Sequence, residues 1–217
     1  MLATLTGLGL SAAAGLNAYI PFLIVALVAR FTDIIDLPQS YAWIESPWAI
    51  GVAAVLLLAE IVSDKVPAVD SLNDAVGTFV RPLSGGLIFA ATSAAADFEK
   101  NSQFMAANPW IGVVLGVLVA LLTHGGKAAS RPVLNAGTGG LAAPVVSAGE
   151  DGFSFTLSLV AIFMPILVIL FLLILFGGLI IVITKFRQLR KRRALKKQAK
   201  TMTQPGEPIE ENPQKPR

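Results

Sequence analysis

Two stretches of this 217-residue chain carry no charged side chain: Met1 to Ala29, and Gly152 to Thr184. About 20 apolar residues cross the hydrocarbon core of a bilayer, so each stretch is longer than a soluble core helix needs. The expected class is an all-α, polytopic helical membrane protein. The whole composition points the same way, with 54% hydrophobic residues, 14% charged ones and a mean hydropathy of +0.70. An ordinary soluble domain carries about 25% charged residues. The charges are also segregated, since nine of the 17 Lys and Arg fall between Lys185 and Lys200. The start Met1-Leu2-Ala3-Thr4-Leu5-Thr6 lacks the basic residues of a cleaved signal peptide, so the first stretch reads as a retained span. Cysteine is absent, which excludes disulfides and cysteine-ligated metals.

Six apolar segments follow in order: Thr4–Ala29, Pro47–Ser63, Pro82–Ala96, Pro109–Thr123, Pro132–Gly149 and Phe153–Thr184. Glycines and Asn17 inside the first predict a kink or break near Gly15-Leu16-Asn17. The fifth, with Pro144 and many small residues, reads as a crossing or a re-entrant segment. Pro165 predicts a kink in the sixth. Cytoplasmic loops are enriched in Lys and Arg. The basic stretch therefore places the C-terminus inside a bacterial cytoplasmic membrane, and six crossings place the N-terminus there too. Lys65, Arg81, Lys127 and Arg131 then face the cytoplasm; Asp33, Asp36, Glu45, Asp97 and Glu99 face outward. The expected organisation is a transmembrane domain over 1–184, a basic juxtamembrane segment over 185–200, and a disordered, proline-containing tail over 201–217.

Ser46-Pro47-Trp48 recurs as Asn108-Pro109-Trp110. Lys65 and Lys127 each follow their Trp by 17 residues, and Arg81-Pro82 and Arg131-Pro132 follow the lysines. Either the two halves are a duplication, with a site at their interface as in many transporters, or Pro-Trp recurs by chance. The Trp residues serve as interface anchors in both cases.

A helix rises 1.5 Å per residue, so Glu60 lies roughly 18 Å from Trp48 along its helix, and His124 roughly 21 Å from Trp110. Both fall within a hydrocarbon core about 30 Å thick or near its far edge. A charge at the bilayer centre costs about 2.5–3.5 kcal/mol even on the insertion scale. Pairing or a wet cavity must offset that. The first charged cluster is Glu60, Asp64, Lys65, Asp70, Asp74 and Arg81, with the last three near one stripe of an amphipathic helix over Val69–Arg81. The second is His124, Lys127, Arg131, Glu150 and Asp151. As a site, the bases bind an anionic group and the carboxylates take a proton or a cation. As plain structure, they are interfacial charges that pair with one another and with headgroups. Asn17 binds substrate at a helix break or caps it; His124 relays protons or caps. A lone histidine rules out a multi-histidine metal site. Should a metal bind, Glu60, Asp64, Asp70 and Asp74 are the candidate ligands. No cofactor-binding or soluble-enzyme motif is present. The expected partners are membrane lipids, with anionic headgroups at the basic C-terminal segment, and further copies of the chain; nucleic acid is not expected.

Several stretches resemble a bacterial multi-pass membrane family known as domain of unknown function 4126. They are Gly9-Leu10-Ser11-Ala12-Ala13-Ala14-Gly15-Leu16-Asn17-Ala18-Tyr19, Glu60-x-x-x-Asp64-Lys65-x-Pro67-x-x-Asp70, Arg81-Pro82, His124-x-x-Lys127-x-x-x-Arg131 and Ser147-x-x-Glu150-Asp151. The resemblance covers about residues 1 to 183 and implies a multi-pass membrane fold; it implies no activity. The function expected from the residues is a small transporter or lipid-headgroup translocator, proton-coupled through Glu60 or His124. The alternatives are a non-transporting oligomeric scaffold and a membrane enzyme acting on a lipid phosphate.

Overall fold

The computed structural model describes residues 2–63, 67–92, 108, 110–138, 143–178, 180–181, 184 and 188; side chains at 67–68, 70–72, 74 and 130–138 lie outside the described set. The chain divides into two units, 1–175 and 176–217. The second falls almost wholly outside the described residues, as do the expected basic segment and tail, so the architecture below is that of the first.

Among the described residues the structure is all-helical. The elements are α1 (Leu2–Leu16), α2 (Tyr19–Phe31), a 3-10 helix (Gln39–Glu45), α3 (Pro47–Ser63), α4 (Pro67–Ala91), α5 (Trp110–Thr138), α6 (Ala143–Phe163) and α7 (Ile166–Gly178). Two stretches are long and apolar enough to cross a membrane, Trp110–Ala129 of α5 and Ala143–Phe163 of α6. A third candidate is the 3-10 helix taken with α3, bent by 58° at Ser46. The remaining described apolar helices are shorter: Leu2–Leu16, Tyr19–Phe31, Ala75–Ala91 and Ile166–Gly178.

Local chemistry explains the helix starts. Ser46 Oγ accepts from the Ala49 N–H (3.3 Å), and Pro47 occupies the first helical position, where its missing N–H is harmless. The Asn108 carbonyl accepts from the Ile111 N–H (3.1 Å) ahead of the second Pro-Trp pair. The recurring Ser/Asn-Pro-Trp is thus a helix-initiation signal used twice. Beyond it the two halves diverge, because α5 sits at the centre of the bundle while α3 packs at its edge against α2.

The first apolar segment is a helical hairpin and not one kinked crossing. Leu2, Ala3 and Thr6 line the same cavity as Ile34 and Ile35, which follow the end of α2. In a continuous helix Leu2 and Ile34 would be roughly 48 Å apart. The chain therefore reverses at Asn17-Ala18. The sixth segment reverses too. Phe153 of α6 and Phe171 of α7 have ring centroids 5.7 Å apart, where a continuous helix would separate them by roughly 27 Å. Pro165 is a turn and not a kink: Met164 and Pro165 carbonyls accept from the Leu167 and Val168 N–H groups, which starts α7 in the reverse direction.

Two further boundaries differ from expectation. Pro82 does not open a new segment but lies buried inside α4, which runs unbroken from Pro67 to Ala91. An internal proline forfeits one hydrogen bond and strains the helix; tight packing of the following turn against α1 and α5 holds it in place. Likewise Arg131-Pro132 lies inside α5, so the expected fifth segment is split between the end of α5 and the start of α6.

Small residues set the centre of the bundle. Gly7, Gly9, Leu10, Ser11, Ala12, Ala13, Ala14 and Gly15 of α1 are all buried. A Cβ on Gly85 of α4 would lie 2.5 Å from Ala120 Cβ of α5, and one on Gly116 would lie 2.7 Å from the Gly85 carbonyl oxygen. Helices that bury apolar surface in lipid gain little from it, so close backbone approach and interhelical hydrogen bonds must hold them. Ser11 Oγ supplies such a bond to the Gly85 carbonyl (2.9 Å), and Ser154 Oγ another to the Ala13 carbonyl (3.0 Å). These contacts lock α1 between α4, α5 and α6, and so fix where the Asn17-Ala18 turn must end up.

Candidate functional site

The tip of the α1–α2 hairpin is buried, so each of its exposed backbone groups needs a partner. Asn17 Oδ1 accepts from the Tyr19 and Ile20 N–H groups (3.0 and 3.1 Å), capping α2. The cap reading of Asn17 is therefore correct at Oδ1. Its Nδ2 donates to Asp151 Oδ1 of α6 (2.9 Å). The Leu16 carbonyl, at the negative end of α1, accepts from Lys127 Nζ of α5 (3.1 Å), a favourable placement of a cation at a helix C-terminus. The Ala18 carbonyl accepts from Ser84 Oγ of α4 (2.8 Å). Three helices thus reach in to finish one turn.

Charged residues encircle this tip. Lys127 Nζ forms an ion pair with Glu150 Oε2 (2.9 Å). On α4, Arg81 Nη2 donates to Glu60 Oε1 of α3 (2.8 Å), with Arg81 1% and Glu60 6% exposed. Glu60 shares a helical stripe with Ala49 and Ala53, the other buried residues of α3, so the sequence turns one carboxylate inward among apolar neighbours. Arg81 Nη1 lies 3.1 Å from His124 Nδ1, and His124 Nε2 lies 3.1 Å from Thr78 Oγ1. A guanidinium has donors and no acceptor. Nδ1 is therefore the acceptor in this contact, which assigns Nε2 as the donor to Thr78. Ser84 follows Arg81 by three positions on α4, and Lys127 follows His124 by three on α5, so the two sets of contacts meet at the hairpin tip.

Glycine makes room for this arrangement. A Cβ on Gly77 would lie 2.9 Å from Arg81 Cζ and Nη1. Helical side chains fold back toward the preceding turn, and the guanidinium occupies the space that a larger residue at 77 would fill.

Of the residues singled out in the sequence, the structure gathers Asn17, Glu60, Arg81, His124, Lys127, Glu150 and Asp151 around one point. Asp64 and Lys65 lie outside the described residues. Asp70 and Asp74 on α4, and Arg131 on α5, have side chains outside the described set. Three of the four candidate metal ligands, Asp64, Asp70 and Asp74, therefore also fall outside it. No group of three potential metal ligands occurs among the described residues. Sequence reading missed Thr78, Ser84, Tyr19 and the Leu16 carbonyl. Thr78 and Gly77 precede Arg81 by three and four positions, the spacing that shares a helix face, and that was a legible signal. Ser84 and the carbonyl acquire their roles only through the packing of α1 against α4 and α5.

A family model described as a domain of unknown function (DUF4126) matches residues 4–185. The match takes in every residue of the site. No curated protein and no solved structure matches the chain.

Proposed function

We propose that this chain, which belongs to the DUF4126 family, a domain of unknown function, is a small integral membrane transporter. Its site is the tip of a re-entrant helical hairpin. The observation that carries the reading is the burial of the Asn17-Ala18 turn inside a ring of ionisable residues from four helices. Helices of 15 and 13 residues, α1 and α2, are roughly 22 and 20 Å long, short of the hydrocarbon thickness of about 30 Å. Non-helical backbone at membrane depth is tolerated where protein buries it, and broken helices are where transporters place their sites. The cargo is a small ion or a lipid headgroup that replaces one of the ion-pair partners.

His124 and Glu60 are the coupling groups. A proton arriving at His124 Nδ1 ends its bond to Arg81 and sets an imidazolium against a guanidinium. Arg81 must then lean further on Glu60 or swing away from the tip. A proton on Glu60 weakens the pair from its other side. Either event frees Arg81, and the neighbouring tip has two arrangements to exchange.

Excess Lys and Arg mark cytoplasmic ends, and Arg81 and Lys127 lie at the tip end of the bundle, which we assign to the cytoplasm of a bacterial membrane. Leu2 and the loop bearing Asp33 and Asp36 lie at the opposite, outer end. In this reading the N-terminus lies at the outer end, because the hairpin turn returns α2 to the end where α1 began. Cysteines at Ser71 and Gln198 should both resist an impermeant thiol reagent in intact cells, while one at Ala3 should react. Labelling of Ser71 but not Gln198 would refute this topology.

The transport reading is tested with Glu60→Gln. The amide keeps one acceptor for Arg81 and loses the titrating proton. In a deletion strain with a measurable phenotype, the variant should reach the membrane at the wild-type level and fail to complement. Full complementation overturns proton coupling through Glu60. It would favour the second reading, an oligomeric scaffold, which has in its favour that Glu60, Arg81, Lys127 and Glu150 are bound to one another within the chain.

A further inference from the structure

An open groove of about 480 Å³ runs along the edge of the bundle between α2, α3 and α4. Its floor and walls include Phe22, Ala49, Ala53, Leu83 and Leu87, and Trp43 and Trp48 stand at one end. Pockets of roughly 300–1,000 Å³ hold ligands of modest size. The wall is almost wholly apolar; Ser84, its hydroxyl, is already bonded to the Ala18 carbonyl (2.8 Å). Among the described residues no Lys, Arg, Asp or Glu lines it, so an apolar occupant fits this lining.

The rim shows where that occupant comes from. Trp48, Val52, Leu56 and Leu83 are exposed beside the opening, so the groove opens sideways onto the surface that the membrane reading gives to hydrocarbon. Along α3 it extends from Trp48 to Leu56, about 12 Å at the helical rise. One leaflet contributes about 15 Å, half of the hydrocarbon thickness. Indole rings collect at the headgroup level, which sets the Trp43–Trp48 end at the membrane surface. The inner end, at Leu56, Val80 and Tyr19, stops one helical turn short of Glu60 and next to Arg81.

We propose that this groove binds one acyl chain of a membrane lipid, from the leaflet on the Trp48 side, with its headgroup beside Trp43 and Trp48 and its methyl end over the Glu60–Arg81 pair. The bound chain completes the apolar cover of that pair and of Tyr19. The site rests on the chain spanning a membrane, and it stands whether or not the protein transports.

Brominated acyl chains quench tryptophan on contact, and the three tryptophans allow an internal reference. The full chain is reconstituted in phosphatidylcholine vesicles with or without phosphatidylcholine brominated near the ester end of its acyl chain, the part that the proposal sets beside Trp43 and Trp48. Trp110→Phe reports on Trp43 and Trp48. The double variant Trp43→Phe/Trp48→Phe reports on Trp110, which is exposed at the start of α5 away from the groove. The groove pair should be quenched several-fold more than Trp110. Adding Ala53→Leu, which fills the groove floor, should lower quenching of the pair to the Trp110 level with an unchanged unfolding temperature. Ala49→Leu, which fills the Trp48 end, gives the same readout if Ala53→Leu fails to fold. Equal quenching of all three tryptophans, unmoved by either filling variant, overturns the acyl-chain site and leaves the membrane reading intact. No quenching of any tryptophan overturns both. A filling variant that abolishes a cross-linked dimer, with no change in quenching, assigns the groove to a second copy and overturns the proposal.

Discussion

Two helical hairpins whose turns lie within the described residues have tips built on opposite principles. The α1–α2 tip, at Asn17-Ala18, is buried, and side chains of α4, α5 and α6 satisfy its backbone and its Asn. The α6–α7 tip, at Met164-Pro165, is made by its own backbone hydrogen bonds, with Phe163, Met164 and Ile166 exposed around it. The second turn uses proline's fixed φ and missing N–H, so it needs nothing from the rest of the fold. The first turn requires most of the bundle to be in place. A turn held by so many polar partners is costly to dispense with and is where a change of partner has consequences elsewhere; a self-contained turn has neither property.

This contrast predicts an order of effects on unfolding in mixed micelles. Arg81→Met should act most strongly, by about 3–5 kcal/mol, since it leaves Glu60 buried without its guanidinium. Glu60→Gln added to Arg81→Met should recover a large part of that loss. A loss with Arg81→Met no larger than with Pro165→Ala would break the comparison, because the charges would then contribute nothing to holding the tip. Asn17→Ala comes next. It removes the cap on α2, about 0.5–2 kcal/mol, and the bond to Asp151. Hydrogen exchange at the Tyr19 and Ile20 amides should speed up while that of the α6–α7 turn stays unchanged. Equal acceleration at both turns would mean that the hairpins unfold as one unit. Pro165→Ala should have the smallest effect, about 0.4–1 kcal/mol, chiefly through the greater freedom of the unfolded chain. A larger effect would show that the second tip also depends on its surroundings.

The pairs around the first tip are unequal in the same sense. Glu60–Arg81 is nearly sealed, with side chains 6% and 1% exposed, whereas Glu150 of the Lys127 pair is 13% exposed. Charges in a low-dielectric setting interact more strongly and lose more when separated. The sealed pair is therefore the one that loses more when its partners are separated.

Residue chemistry marked the ends of several elements in advance. The break at Asn17, the span Pro47–Ser63 and the interruption at Pro165 each follow from a cap, a proline or a run of small residues, whose preferences act within a few residues. The same local reading could not say that the chain turns back at Asn17 and at Pro165. A kink and a reversal carry the same sequence signal, and what selects between them is which face the next helix can bury. Pro82 and Pro132 went the other way, since α4 and α5 run on through them where proline alone predicts a boundary.

What the sequence by itself determined is the helical class, an apolar composition that suits membrane spans, and a short set of ionisable residues improbable in apolar surroundings. Burial energy per residue makes those choices, and it can be read from composition along the chain. Tertiary structure alone decided who partners whom. Glu60 meets Arg81, His124 meets Arg81 and Thr78, and Lys127 meets both Glu150 and the Leu16 carbonyl. Those contacts exist because the glycines and alanines of α1, α4 and α5 let three backbones come close enough to deliver one hairpin tip into the centre of the charges. Close approach is a property of two facing surfaces, and no single stretch of sequence contains it.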